Sequence, residues 1–284
     1  MFKIGTLADW FGLGLLEGIR ESERCGAAGV QIYAWNEFNP KTVTPGQVRQ
    51  VRETAAECAQ EVTALCGELG GPGFEIAADN PGKIDYLKAV VDLALQLDCR
   101  IVTTHIGVIP EDKGHPRYQI MRDACRRAGE YALGRGVTIA IETGPEPVAR
   151  LKEFADGCGG GIGINYDPAN LVMVTRDDEV RGVYTAGSSI VHTHAKDGRC
   201  NFYAGPEEVY ALFAKGGIEA LTRVQTYFTE TPLGEGEVRW PEYLRALRDT
   251  GYSGYLTIER EVRENAREDI RKAVGFLRDI MEKL

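Results

Sequence analysis

Four runs of residues each carry an ionisable side chain near their carboxyl end: Val137–Glu142, Ile162–Asp167, Ile190–Asp197 and Tyr255–Glu261. Read as β-strands, their successive side chains point to opposite faces. One face then collects Thr138, Ala140 and Glu142; Gly163, Asn165 and Asp167; His192, His194 and Lys196; and Thr257, Glu259 and Glu261. The other face carries Val137, Ile139, Ile141, Leu256 and Ile258, apolar side chains suited to backing onto helices. Two imidazoles and an ammonium in one column are a costly way to fill a core, because burying them unpaired is strongly unfavourable.

Glu142, Asp167, His194 and Glu259, brought to one point, form three carboxylates and one imidazole with no thiolate. Carboxylates that close repel and raise one another's pKa unless a cation sits among them. The set favours Mn2+ or Mg2+, accommodates Co2+ or Zn2+, and leaves coordination positions for a substrate. Any one of the four reads equally well as a hydrogen-bonded surface group. The case for a site is that all four fall in phase at the ends of successive strands.

Such convergence needs parallel strands, and the chain supplies a regular alternation. Eight β-like runs (3–7, 29–33, 62–66, 101–105, 137–142, 162–167, 190–197 and 255–261) are separated by amphipathic segments. Thr44-Pro45-Gly46-Gln47 is a capping box with proline at the first helical position, predicting a helix to about Cys58. Asn80-Pro81 predicts another to about Leu97, and Trp240-Pro241 a third to about Thr250. Glycine stops at Gly26, Gly134 and Gly251 close helices just before strands. Alternating β and α units imply right-handed crossovers and a parallel sheet. Eight of them predict an α/β fold closed as a (β/α)8 barrel, with an open doubly wound sheet as the alternative. Active sites of such barrels lie at the carboxyl ends of the strands. Residues 1–284 read as one domain, with an insertion at about 198–238 that carries a short helix around Pro206–Lys215 and suits a lid or a subunit contact.

Composition narrows the partners. The 284-residue chain is 43% hydrophobic and 26% charged, with a net charge of −9. That charge opposes association with nucleic-acid backbones and with anionic membranes. No apolar run is long enough to span a bilayer, and Met1-Phe2-Lys3-Ile4 runs straight into a strand without a leader. The seven cysteines are scattered and never paired as C-x-x-C, which reads as reduced thiols in a cytoplasmic protein. Gly159-Gly160-Gly161 precedes a strand rather than following one, so it is a turn and not a phosphate loop.

Four motifs carry a family resemblance: Ile141-Glu142-Thr143, Asp167-Pro168-Ala169-Asn170-Leu171, the HTHAKD run ending in Asp197, and LGEGEVRWPEYLRALRDTGYSGYLTIE over 233–259. The chain resembles the xylose isomerase-like TIM barrels, the sugar phosphate isomerase and epimerase group. The resemblance implies that Glu142, Asp167, His194 and Glu259 bind a divalent metal and that Glu142 and Glu259 are the acid/base pair, as in the group's ketose 3-epimerases. Some of those epimerases have a histidine where this chain has Asn170, a departure that counts against the free-ketose epimerases in particular; Asn170 is also a substrate-binding candidate. The implied function is a metal-dependent isomerase or epimerase of a ketose, ketose phosphate or related polyol. It would work by proton abstraction and a metal-stabilised cis-enediolate. Glu142 and Glu259 lie three strands apart on a ring of eight, on nearly opposite walls, which suits removing a proton from one face and returning it to the other. Loss of a β-hydroxyl on the same site would make a dehydratase of the inosose or dehydroshikimate type. An endonuclease IV-like nuclease needs a histidine-rich zinc cluster and a basic groove, against four histidines and an acidic chain here. A non-catalytic sugar-binding barrel is the remaining alternative. Relatives of this kind suggest a homodimer or homotetramer.

Further candidates surround the four. His105 ends a strand and could hydrogen-bond substrate or be a satisfied core histidine. Lys196 and Asp197 could hold a hydroxyl or phosphate, or pair with each other. Arg199 could reach substrate from the insertion or remain solvated. Trp10, Phe11 and Trp35 follow the first two strands, where they could pack on a sugar's C–H face or cap the core. His192 is expected to orient a ligand, and His115 to lie on the surface.

Overall fold

The capping box forms as its spacing predicts. Thr44 Oγ1 accepts from Gln47 N at 3.3 Å, and the Gln47 side chain accepts from Thr44 N at 2.9 Å, opening the helix Pro45–Glu57. The other two proline-marked starts give Asn80–Gln96 and Trp240–Asp249. These come from a computed structural model that describes residues 2–262 and 264–284.

The helices alternate with β1 (Lys3–Leu7), β2 (Gly29–Tyr33), β3 (Glu61–Cys66), β4 (Ile101–Thr104), β5 (Thr138–Glu142), β6 (Ile162–Tyr166) and β7 (Ile190–Ala195). A two-stranded excursion, β8 (Asp197–Cys200) and β9 (Phe228–Thr231), precedes β10 (Tyr255–Ile258). The barrel closes in the order β1-β10-β7-β6-β5-β4-β3-β2, every pairing parallel. It is a single-domain (β/α)8 TIM barrel.

Alternation sorts the side chains as the pattern requires. Ile139, Ile141, Ile164, Leu256 and Ile258 are buried between strands and helices. The barrel interior below the mouth is polar, unlike the branched aliphatic layers usual in such barrels. There Gln31 donates to Thr103 Oγ1 at 3.1 Å. His192 Nδ1 donates to Asn165 Oδ1 at 2.9 Å, and its Nε2 accepts from the Thr257 hydroxyl at 3.1 Å. With both nitrogens satisfied, His192 stays neutral; burial, helped by the neighbouring His194, pushes its pKa down to about 3.

The last barrel strand is Tyr255–Ile258 and stops three residues short of Glu261, so Glu259 lies just beyond it; two further differences concern the insertion. The seventh barrel strand stops at Ala195, and Asp197 belongs instead to β8, which pairs antiparallel with β9 from Asp197↔Thr231 to Cys200↔Phe228. The insertion holds two helices, Pro206–Lys215 and Ile218–Tyr227, rather than one. Asp197 explains the turn. Its Oδ1 accepts from Gly198 N at 2.9 Å and Val238 N at 3.2 Å, and its Oδ2 from Gly234 N at 2.9 Å and Trp240 Nε1 at 2.8 Å. Gly236 lies so close that a Cβ there would stand 1.9 Å from Asp197 Oδ1. One buried carboxylate thus staples both ends of the insertion to the barrel. Among the described residues, no helix is long and apolar enough to cross a membrane.

Candidate metal centre and its cavity

The register that pairs Thr257 with His194 and Glu142 with Asn165 sets the strand ends level. Glu142, Asp167, His194 and Glu259 each offer a ligand atom within 4.8 Å of the others, and all four are buried. His194 Nδ1 stands 3.3 Å from Glu259 Oε2, 3.4 Å from Glu142 Oε1 and 3.8 Å from Asp167 Oδ2.

The surroundings prepare these atoms as ligands. Asp167 Oδ1 is occupied by the backbone N–H groups of Ala169 (2.7 Å) and Asn170 (3.1 Å), the first turn of the following helix. Its Oδ2 is buried with no hydrogen-bond partner and faces the cluster. An orphaned buried carboxylate oxygen is expensive, and a cation removes that cost. His194 Nε2 donates to Gln31 Oε1 at 3.1 Å, leaving Nδ1 to present its lone pair to the cluster. Glu142 is fixed by Asn165 (3.0 Å) and Asn170 (3.0 Å), and Asn165 is held in turn by His192. The donor set, three oxygens and one nitrogen, fits a divalent cation of the Mn2+ or Mg2+ kind.

Burial opposes charge throughout the cluster, and neighbours decide each outcome. Burial alone would lower the His194 pKa, but Glu259 and Glu142 hold it well above the usual imidazole range. Burial likewise opposes ionisation of Glu142 and Glu259; His194 and His105 keep the first well below the carboxylate range, and His194 and Lys196 bring the second to about 2. Asp167 is pushed up by burial, which His194 and Lys196 only partly offset. The imidazolium proton supplies positive charge that the three carboxylates demand, and a cation on the same atoms would displace it.

The cluster lies beside a cavity of about 1180 Å3 whose wall includes Glu142. His105 lines it, with Nδ1 2.8 Å from Glu68 Oε2 and Nε2 3.6 Å from Glu142 Oε1. Lys196 lines it too, donating to Glu259 Oε2 at 3.1 Å and Glu261 Oε1 at 2.6 Å. Asn170 and Trp35 also face it; Trp35 stacks on Tyr33 at 4.5 Å. Two candidates are not brought here. Asp197 is consumed as the staple described above, with no lone pair left for substrate. Arg199 turns to the Glu235 carbonyl (Nε at 2.9 Å) and lies outside the cavity wall. Trp10 lines the cavity, Phe11 packs into the core, and His115 caps the helix Pro116–Leu133 by accepting from Arg117 N at 3.1 Å.

Sequence reasoning left Gln31, Asn165, Glu68 and Tyr210 without roles. The first two sit on inward columns, a signal strong enough to have flagged them. Glu68 comes just after β3, where its role depends on meeting His105. Tyr210 comes from the insertion and crosses to the far wall. A Cβ on Gly144 would stand 2.1 Å from its hydroxyl, so glycine there makes room for the ring.

A model of the xylose isomerase-like TIM barrel family matches residues 19–280. The chain belongs to that family. Among its similar structures is a xylose isomerase domain protein from Planctomyces limnophilus. It has a TM-score of 0.81 and 23% identity, over 99% of this chain and 98% of that one. Another is the 3-keto-D-glucoside 4-epimerase YcjR from E. coli, with a TM-score of 0.70 and 15% identity over 98% of this chain and 100% of that one. Among curated relatives, the uncharacterized protein MJ1188 of Methanocaldococcus jannaschii is 24% identical over 203 residues, 67% of this chain. The match spans 66% of that relative's length. Identities this low establish the shared barrel and leave the chemistry to the site.

Proposed function

We propose that this xylose isomerase-like barrel is a divalent-metal-dependent isomerase or epimerase of a sugar or related polyol. The observation that carries the reading is the convergence of Glu142, Asp167, His194 and Glu259, with Asp167 Oδ2 buried and unpartnered at its centre. The epimerase named among the similar structures supports the same reaction class.

In this reading those four residues hold the cation, which when bound polarises a substrate carbonyl and its neighbouring hydroxyl as a Lewis acid. Glu142 and Glu259 do the proton work. They reach the centre from β5 and from just beyond β10, strands three steps apart in the ring. One removes the proton beside the carbonyl to give a cis-enediolate, and the other returns a proton from the opposite face, inverting the carbon. Return to the adjacent carbon instead makes an aldose–ketose isomerisation. Asn165 and Asn170 hold the Glu142 carboxylate in place, while Lys196 does the same for Glu259. His105, anchored by Glu68 next to Glu142, is placed to bind a substrate oxygen.

The test is solvent-deuterium incorporation followed by NMR over a panel of keto sugars and inososes with Mn2+ present. The wild type should exchange one carbon-bound proton with inversion. Glu142→Gln and Glu259→Gln should each lose about 10²–10⁴-fold in exchange rate, the usual worth of a positioned acid or base. Undiminished exchange in both variants, or no exchange by the metal-loaded wild type on any substrate, contradicts the reading. Loss of water without exchange would mark the site as a dehydratase.

A further inference from the structure

The cavity beside the metal cluster has a charge balance and a shape that its reaction alone does not require. Its wall carries the carboxylates Glu68, Glu75, Glu142, Glu207, Glu230 and Glu261. Among the described residues that line it, the cations are all committed. Arg117 pairs with Glu75 at 3.1 Å and Glu207 at 2.7 Å, Lys196 with Glu259 at 3.1 Å and Glu261 at 2.6 Å, and His105 with Glu68 at 2.8 Å. At the metal centre, three carboxylates outweigh the two charges of a divalent ion. A phosphate or carboxylate on the substrate would therefore enter a negative field with no free ammonium or guanidinium to receive it.

The same cavity is too large and too apolar for a single sugar ring. Its volume of about 1180 Å3 exceeds the range of roughly 300–1,000 Å3 common for small-molecule sites. Polar groups line the barrel mouth, around His105, Glu142 and Lys196, and one side wall, where Arg117 pairs with Glu75 and Glu207. The insertion adds Phe213, Ala214, Val224 and Phe228 as an apolar stretch of the wall, beside its polar Glu207 and Glu230. Three large apolar side chains of the lining stay exposed: Trp35 at 37%, Val262 at 41% and Phe213 at 42%. Side chains of this kind around a polar reaction centre call for an apolar occupant continuous with the reacting group.

We infer that the substrate is an uncharged keto sugar bearing an aromatic group in glycosidic linkage, rather than a sugar phosphate. This rests on the proton-transfer reading above and specifies its substrate. The sugar ring sits at the cluster, and the aromatic group extends under the insertion between Phe213 and the Tyr33–Trp35 stack.

Calorimetry on the Mn2+-loaded protein tests it with three unreactive probes: phenyl β-D-glucoside, methyl β-D-glucoside and methyl β-D-glucoside 6-phosphate. The phenyl glucoside should bind about tenfold tighter than the methyl glucoside, the worth of one good aromatic contact, and the 6-phosphate should bind weakest. Phe213→Ala and Trp35→Ala, both at exposed positions that do not support the core, should each shrink the phenyl-to-methyl ratio several-fold. A ratio near one, a ratio untouched by both variants, tightest binding of the phosphate, or no binding of the phenyl glucoside overturns the inference. Affinity is read without turnover. Absence of deuterium exchange on every keto sugar would therefore sink the proton-transfer reading, while the order of affinities reports on the substrate class separately.

Discussion

Gln31 is a sensitive lever on the metal centre, although it touches no proposed substrate position. It is 1% exposed and His194 is 2% exposed. The glutamine accepts from His194 Nε2 at 3.1 Å through Oε1, while its amide nitrogen donates to Thr103 Oγ1 at 3.1 Å. Gln31→Leu keeps the bulk and removes the acceptor. The imidazole is then left with a buried N–H that nothing receives, at a cost of about 1–3 kcal/mol. It escapes that cost by giving up the Nε2 proton and keeping the one on Nδ1, the atom that faces the carboxylates, so the lone pair needed by the cation is no longer offered. At 1.4 kcal/mol per decade this is about 5–150-fold in affinity, in line with the roughly 10–100-fold typical of residues that orient a metal ligand. The assay is calorimetric titration of Mn2+ into wild type, Gln31→Leu and Gln31→Glu, with circular dichroism confirming the fold. The glutamate still accepts from Nε2–H and should keep most of the affinity. If the leucine variant binds as tightly as wild type, or if both variants lose affinity equally, tautomer control by Gln31 is wrong.

Two further predictions concern stability. Glu146 is 1% exposed, its Oε2 accepts from Ile109 N at 3.3 Å and its Oε1 has no partner. Burial pushes its pKa from 4.5 up to about 8, so the folded state keeps a proton that the unfolded state releases. The stability this group contributes is full below pH 4.5 and is lost as pH rises to about 8. Glu146→Gln should flatten that decline, by a few kcal/mol at most; urea midpoints that fall equally for both proteins between about pH 5 and about pH 9 would refute it. Asp197→Asn turns an amide toward N–H donors and should cost about 2–4 kcal/mol, seen as a lower Tm with an unchanged KM in the folded fraction. An unchanged Tm with a raised KM would instead return Asp197 to the substrate site.

How much was legible in the sequence followed from how local each signal was. Strand alternation is a two-residue rule, so it placed Glu142, Asp167, His194 and Glu259 on inward faces, and the barrel's register brought them level. Helix-start signals are equally local: the capping box at Thr44 and the prolines after Asn80 and Trp240 marked their helices to within a residue or two. Asp197 reads from the sequence as a hydroxyl or phosphate holder, or a partner for Lys196, on the expectation of a strand running to 197, and it is neither. The chain leaves the barrel after Ala195, and the partners of Asp197 at Gly234, Val238 and Trp240 are visible only once the insertion has folded back. Arg199 went astray with it. Glu68 and Tyr210 owe their positions to meetings across the barrel mouth, with His105 and with the notch at Gly144, that no short-range pattern encodes. Gln31 and Asn165 were within reach: both are polar residues on inward columns, and a polar interior column needs partners.

The account stands on one ion held by four side chains. Crystals of the protein grown with Mn2+, with data collected at the manganese absorption edge, test this directly. The prediction is a single strong anomalous peak ligated by Glu142, Asp167, His194 Nδ1 and Glu259. No peak between these residues at saturating Mn2+, or a peak held elsewhere while His194 still bridges the carboxylates, would contradict it.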